Sequence, residues 1–164
     1  GPYAAELHGA GPAAIGWVTL AMGLAMVAGN FAYGAADRLF GSRKRPVVAG
    51  NLLVVLALLL LAWAPRMGLG AATALLAAAG FFGSAFPLLM AHGRAFVPAH
   101  LTGRGVTLLN MFAIGGAGLL QVLSRPVHGL GATPEAAYRA LFLFLAAVAA
   151  GGLLAYLFAR DRTD

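Results

Sequence analysis

The side chains able to do chemistry are few, and the charged ones gather in short stretches. Residues 34–46 read Gly34-Ala-Ala-Asp37-Arg38-Leu-Phe-Gly41-Ser-Arg43-Lys44-Arg45-Pro46. One carboxylate among four cations is suited to ion pairing, since a carboxylate accepts charge-assisted hydrogen bonds from a basic side chain or a helix N-terminus. A second basic stretch runs His92-Gly-Arg94-Ala-Phe-Val-Pro98-Ala-His100-Leu-Thr-Gly103-Arg104. Apart from these, Thr19, Asn30, Ser84, Asn110 and Gln121 stand in apolar surroundings. Neutral amides and hydroxyls recognise a solute by hydrogen bonding and do not by themselves catalyse. Ser84, in Gly83-Ser84-Ala85-Phe86, lacks the Gly-x-Ser-x-Gly elbow of a serine nucleophile. His92 follows eight residues later, two helical turns away and too far to activate it. With no Cys, no HExxH and no paired intramembrane acids, no catalytic residue, metal or cofactor is expected. His8, His92, His100 and His128 read as polar surface residues.

The elements that must carry these residues follow from composition. Of 164 residues only 10% are charged and 61% are hydrophobic, with mean hydropathy +0.86. Average soluble domains carry about 25% charged residues. A water-facing surface, a disordered chain and a disulfide scaffold are thereby excluded. Charge-free runs cover residues 7–36, 46–65, 67–93, 105–124 and 140–159. Each reaches the roughly 20 residues needed to cross about 30 Å of hydrocarbon. Backbone groups in lipid must be satisfied internally, so each run is a helix. Residues 52–64, LLVVLALLLLAWA, show none of the alternation of a membrane β-barrel. The expected fold is all-α: a polytopic transmembrane bundle, one domain over 1–164, with spans at 13–36, 46–64, 70–91, 105–124 and 140–159. The first residue is Gly, without a charged n-region, so the chain reads as part of something longer, and residues 1–9 as the exit of an earlier helix.

The spans differ in chemistry. Those at 46–64 and 140–159 are Leu-, Ala-, Val- and Phe-rich and can face lipid. In the first span, Thr19, Gly23, Met26, Asn30 and Asp37 fall near one face, and in the fourth Thr107, Asn110, Ala117 and Gln121 do so. Amides in hydrocarbon need a partner or water, so these faces point either to a neighbouring helix or to an aqueous cavity. Ala21, Ala25 and Gly29 have the small-xxx-small spacing of close helix packing. Pro87 interrupts the third span, as a kink or a hinge. Asp37 closes the first span, and Gly41 supplies a left-handed turn.

Orientation follows from Lys and Arg. Arg38, Arg43, Lys44, Arg45, Arg94, Arg104, Arg160 and Arg162 fall on one side, and Arg66, Arg125 and Arg139 on the other. The richer side, with the C-terminus, is expected in the cytoplasm. Basic loops at an anionic leaflet account for the net charge of +6 without nucleic acid.

The stretch from Gly34 to Lys44 resembles the cytoplasmic loop motif of the major facilitator superfamily: Gly, three residues, Asp, Arg, one residue, Gly, then Arg and Lys. Here Gly34 lies one residue closer to Asp37, and one extra residue separates Arg38 from Gly41. The stretch from His92 to Arg104 is similar to the degenerate repeat of that loop between the tenth and eleventh helices. The resemblance implies the C-terminal half, helices eight to twelve with the end of helix seven. It also implies peripheral ninth and twelfth helices, matching the two lipid-compatible spans. It further implies a secondary active transporter that moves a small solute across the bilayer by alternating access, the missing N-terminal half being its structural partner and the full-length protein a monomer. A bacterial inner membrane is the expected setting. In this reading Gly34, Asp37, Arg38, Gly41, Arg43, Lys44, Arg94 and Arg104 form a cytoplasmic latch. Thr19, Asn30, Ser84, Asn110 and Gln121 line the substrate cavity. The alternative is a non-transporting structural or scaffold subunit.

Overall fold

The computed structural model describes residues 1–162, the side chain of Asp37 excepted. Among the described residues the chain forms α1 (Pro2–His8), α2 (Pro12–Phe40), α3 (Lys44–Trp63), α4 (Leu69–Gly83), α5 (Phe86–Arg94), α6 (Thr102–His128) and α7 (Pro134–Leu157), with a 3-10 turn at Ala99–Leu101 and no strand. Five helical runs are long and apolar enough to cross a membrane: Pro12–Ala36, Lys44–Trp63, Leu69–Arg94, Ala99–His128 and Pro134–Leu157. The bundle is therefore all-α, as composition requires.

Local sequence explains most boundaries. Pro12 and Pro134 sit in first turns, where a missing N–H loses no bond. Thr133 caps α7 by accepting from the Ala136 amide at 3.2 Å. The apolar crossing stops at Ala36, but Asp37 does not end the helix. The helix continues through Phe40 and ends at Gly41, whose φ of 58° is the left-handed stop that a residue without Cβ adopts freely. The third span is divided. Pro87 offers no N–H to the turn before it, so α4 stops at Gly83 and α5 restarts with Pro87 in its first turn. The Ser84 hydroxyl folds back to donate to the Gly80 carbonyl at 2.7 Å. The break also frees the Phe82 carbonyl, and the Tyr33 hydroxyl of α2 donates to it at 2.8 Å. In lipid such a carbonyl must find a donor within the protein.

Packing follows the small residues. α3 packs chiefly on α7 and α4, α4 also packs on α2, and α6 lies against α7 and α5. A Cβ at Gly29 would overlap the Phe81 carbonyl, so the small-xxx-small stripe does bring α2 close to α4. A Cβ at Gly50 would overlap the Tyr33 hydroxyl. One buried cluster gathers Tyr3, Leu61, Ala62, Ala72, Tyr138 and Phe142. A second joins Tyr33, Ala36, Val47, Ala85 and Leu88. At the first end the Tyr3 hydroxyl donates to Pro65 at 2.7 Å, and Arg66 pairs with Glu135 at 3.0 Å. At the other end the α2–α3 connector, α5 and the segment after α7 meet. That end holds the cation-rich connectors on one side of the bundle, in line with five crossings.

Candidate functional site

Two kinds of outward face divide the bundle. On α3 the exposed stripe is Leu52, Leu53, Leu56, Leu59, Leu60 and Trp63, wholly apolar. On α7, Leu143, Val148, Leu154 and Leu157 continue that character. On α2 and α6 the exposed faces are mixed. Thr19 and Asn30 are exposed on α2, as are Thr107 and Gln121 on α6, and no residue of α6 is buried. Large apolar side chains such as Phe31, Met111 and Phe112 stand between them.

The polar side chains first satisfy themselves. Thr19 donates to Ile15 at 2.9 Å, Asn30 to Met26 at 2.9 Å and Thr107 to Gly103 at 3.0 Å, each one turn back on its own helix. These bonds hold each side chain against its helix and leave further acceptor capacity, including the Asn30 carbonyl oxygen. The five candidate cavity residues are not gathered at one point. Gln121 lines a cavity of about 530 Å³ with Val18 and Met22 of α2, Leu76 of α4 and Leu141 and Phe142 of α7. Thr19 adjoins that wall in sequence, whereas Asn30 lies further along α2. Asn110 is half-buried on α6. Ser84 is buried at the break in the third span, bonded to Gly80, and lies off both exposed faces. Glu6, Ser124, Arg125 and His128 also line the cavity, polar groups that periodicity did not single out.

At the cation-rich end the connector residues fall into two sets. Gly34, Arg38 and Gly41 are exposed along or just after the last turns of α2, and Arg94 and Arg104 are exposed at the end of α5 and on α6. The Asp37 carboxylate lies outside the described residues. Arg43 and Lys44 turn toward the segment after α7. The Lys44 ammonium donates to the Leu157 and Ala159 carbonyls at 2.6 and 2.7 Å. Arg43 donates to Ala91 at 3.4 Å and to Arg162 at 3.3 Å. Asp161 accepts from the Ser42 hydroxyl and from the Lys44 amide.

His92 is not a surface residue. It is 2% exposed, because Tyr156 of α7 and the backbone beyond α7 close over it. The Tyr156 hydroxyl lies 2.6 Å from Nδ1 and the Arg160 carbonyl 2.8 Å from Nε2. Both edges of the ring are thus engaged, Nε2 by the Arg160 carbonyl, which accepts, and Nδ1 by the Tyr156 hydroxyl. Its partners stand 64 and 68 residues away, so no local spacing could reveal the burial.

Burial alone would raise the Asp161 carboxyl, but the Ser42 hydroxyl, the Lys44 and Arg43 amides and the nearby His92 outweigh it and hold the group below its ordinary value. Among the described residues Arg43, Lys44, His92, Tyr156, Arg160 and Arg162 are charged or titratable groups around it. A depressed native pKa stabilises above the unfolded value and loses that contribution as pH falls through the native one. The melting-temperature gap between the wild type and Asp161→Asn should therefore persist from pH 7 to 5. It should shrink only below about pH 3.9, the ordinary aspartate value. A gap that closes near neutrality would contradict this account.

No curated protein and no solved structure matches the chain. The family model described as the Major Facilitator Superfamily matches residues 1–164. Five apolar crossings and a match over the whole length agree: the chain belongs to the major facilitator superfamily, a family of multi-pass membrane transporters.

Proposed function

We propose that this chain is the C-terminal half of a secondary active transporter that moves a small solute by alternating access, two helical halves rocking about a site between them. The carrying observation is the contrast between exposed faces. Leu and Trp cover the outside of α3, as an acyl-chain boundary needs, while Thr19, Asn30, Thr107 and Gln121 interrupt the outside of α2 and α6. In the assembled transporter the mixed faces turn toward the other half and the solute, and the apolar ones toward lipid. Thr19, Asn30, Asn110 and Gln121 are the proposed solute contacts, with Ser84 acting through the shape of the break beside it.

α1 supports the C-terminal-half assignment. It is a two-turn helix lying along the 530 Å³ groove walled by α2, α4, α6 and α7. A preceding length of the same helix would fill that groove and make it the seventh helix of the whole protein. Asp37, with Gly34, Arg38 and Gly41, would act as a latch to the other half. Arg94 and Arg104 would stand on the same cytoplasmic face. The cation-rich end and the C-terminus then lie in the cytoplasm of a bacterial inner membrane, and the whole protein acts as a monomer.

A labelling experiment on the full-length transporter tests this. The chain holds no cysteine, so single replacements are clean within it. Cysteine at Asn30 or Gln121 should react with a membrane-impermeant maleimide at least tenfold faster than cysteine at Leu56 or Leu143. Equal, slow reaction at all four positions would remove the wet cavity and leave a structural membrane subunit.

A further inference from the structure

Helix α3 starts without a cap of its own. Arg43 occupies the N-cap position and contributes no side-chain acceptor there. The first amides of a helix lack intrahelical partners and carry partial positive charge. Here the acceptor comes from the far end of the chain: the Asp161 carboxylate accepts from the Lys44 amide at 3.1 Å and from the Ser42 hydroxyl, which itself accepts from the Arg45 amide at 3.0 Å. Ser42 is 3% exposed. The arrangement is reciprocal. The last carbonyls of α7 carry partial negative charge, and the Lys44 ammonium bonds to Leu157 and Ala159 there.

The same segment reaches α5. His92 is held between Tyr156 and the Arg160 carbonyl, and the Arg162 guanidinium donates to Ala95 at 3.1 Å while lying 5.0 Å from the centre of the Phe96 ring. α5 is nine residues long and separated from α4 by the break at Ser84 and Ala85. A short segment set on such a break can pivot, and these contacts bear on its C-terminal end, beside its packing on α2 and α6.

We propose that residues 158–162 form an intramolecular strap that joins the cation-rich ends of α3, α5 and α7, with Asp161 as the positioning residue for the α2–α3 connector. The strap fixes Arg43 and Lys44 within this half of the molecule. It also couples the pivoting segment α5 to the α3–α7 pair, so that α5 moves only with them or when the strap opens. It acts whatever solute is carried.

Amide hydrogen exchange on the full-length protein in lipid nanodiscs reads the strap directly. Asp161→Ala should raise exchange at Lys44 and Arg45 and along α5 at least tenfold, with α4 unchanged as the internal control for folding. Asp161→Glu should restore most of the protection, which a loss of bulk packing would not predict. Lys44→Gln, which keeps Asp161, should loosen residues 157–162 and α5 in the same way. Exchange at the connector and α5 equal to wild type in both Asp161→Ala and Lys44→Gln, or a rise confined to the tail itself, would overturn the strap.

Discussion

Replacing Gly50 with alanine should cost the bundle about 2 kcal/mol, a large effect for adding one methyl group. The new Cβ would overlap the Tyr33 hydroxyl and approach the Phe82 carbonyl at 3.0 Å. Neither neighbour yields cheaply. Phe82 is backbone at the end of α4, and Tyr33 is the donor that satisfies its carbonyl. If Tyr33 swings away, the carbonyl at the break is left without its partner at membrane depth, where water cannot replace it. If the backbone shifts, the α3–α4 contact opens. Overpacking of this kind costs about 1–3 kcal/mol, and the lost bond about 1 kcal/mol more. Gly23→Ala is the control, since a Cβ there meets nothing within 4 Å and alanine favours the helix. Reversible unfolding in detergent reads both. Adding Tyr33→Phe to Gly50→Ala should cost less than the two changes summed, because the clashing hydroxyl is gone. A Gly50→Ala protein as stable as Gly23→Ala would show that the α2–α3–α4 approach is looser than described.

The sequence made the spans legible because lipid excludes charge. The gaps between Lys, Arg, Asp and Glu located all five crossings, and Pro87 located the break in the third. Boundaries were less legible. Hydropathy reports where hydrocarbon ends, whereas a helix ends where its backbone finds a cap, and α2 therefore runs past residue 36 to the stop at Gly41. The faces of α2 and α6 were visible through helical periodicity, including Thr19, Asn30 and Gln121. Ser84 was visible as a polar residue but not as a buried one, because its hydroxyl is turned to Gly80 by the break beside it. The strap was not legible. His92 looks like a loop-end histidine and Asp161 like a solvated tail residue. Their roles come from partners more than 60 residues away. The one local signal is Ser42, a short polar residue two positions before the first residue of α3, because unsatisfied backbone amides accumulate at helix starts.

Asp37→Ala in the full-length transporter should lower solute uptake at least tenfold while leaving the amount of protein in the membrane unchanged. Among the cations of its connector, Lys44 is bonded to the Leu157 and Ala159 carbonyls at and just beyond the end of α7, and Arg43 reaches Ala91 and Arg162. Both are thus held within this bundle, and in the proposed latch the contact to the other half is assigned to Asp37, one turn before Gly41 at the end of α2. Removing the carboxylate there leaves the helix intact, since alanine is a better helix former than aspartate and Gly41 still supplies the stop. A latch acts on the balance between conformations, and a shift of about 1.4 kcal/mol changes that balance tenfold. Lys44→Ala provides the contrast: it removes two bonds at the end of α7, so it should reduce thermal stability rather than act through the latch. Uptake by Asp37→Ala equal to wild type would remove the latch, and robust flux from residues 1–164 reconstituted alone would remove the need for a second half.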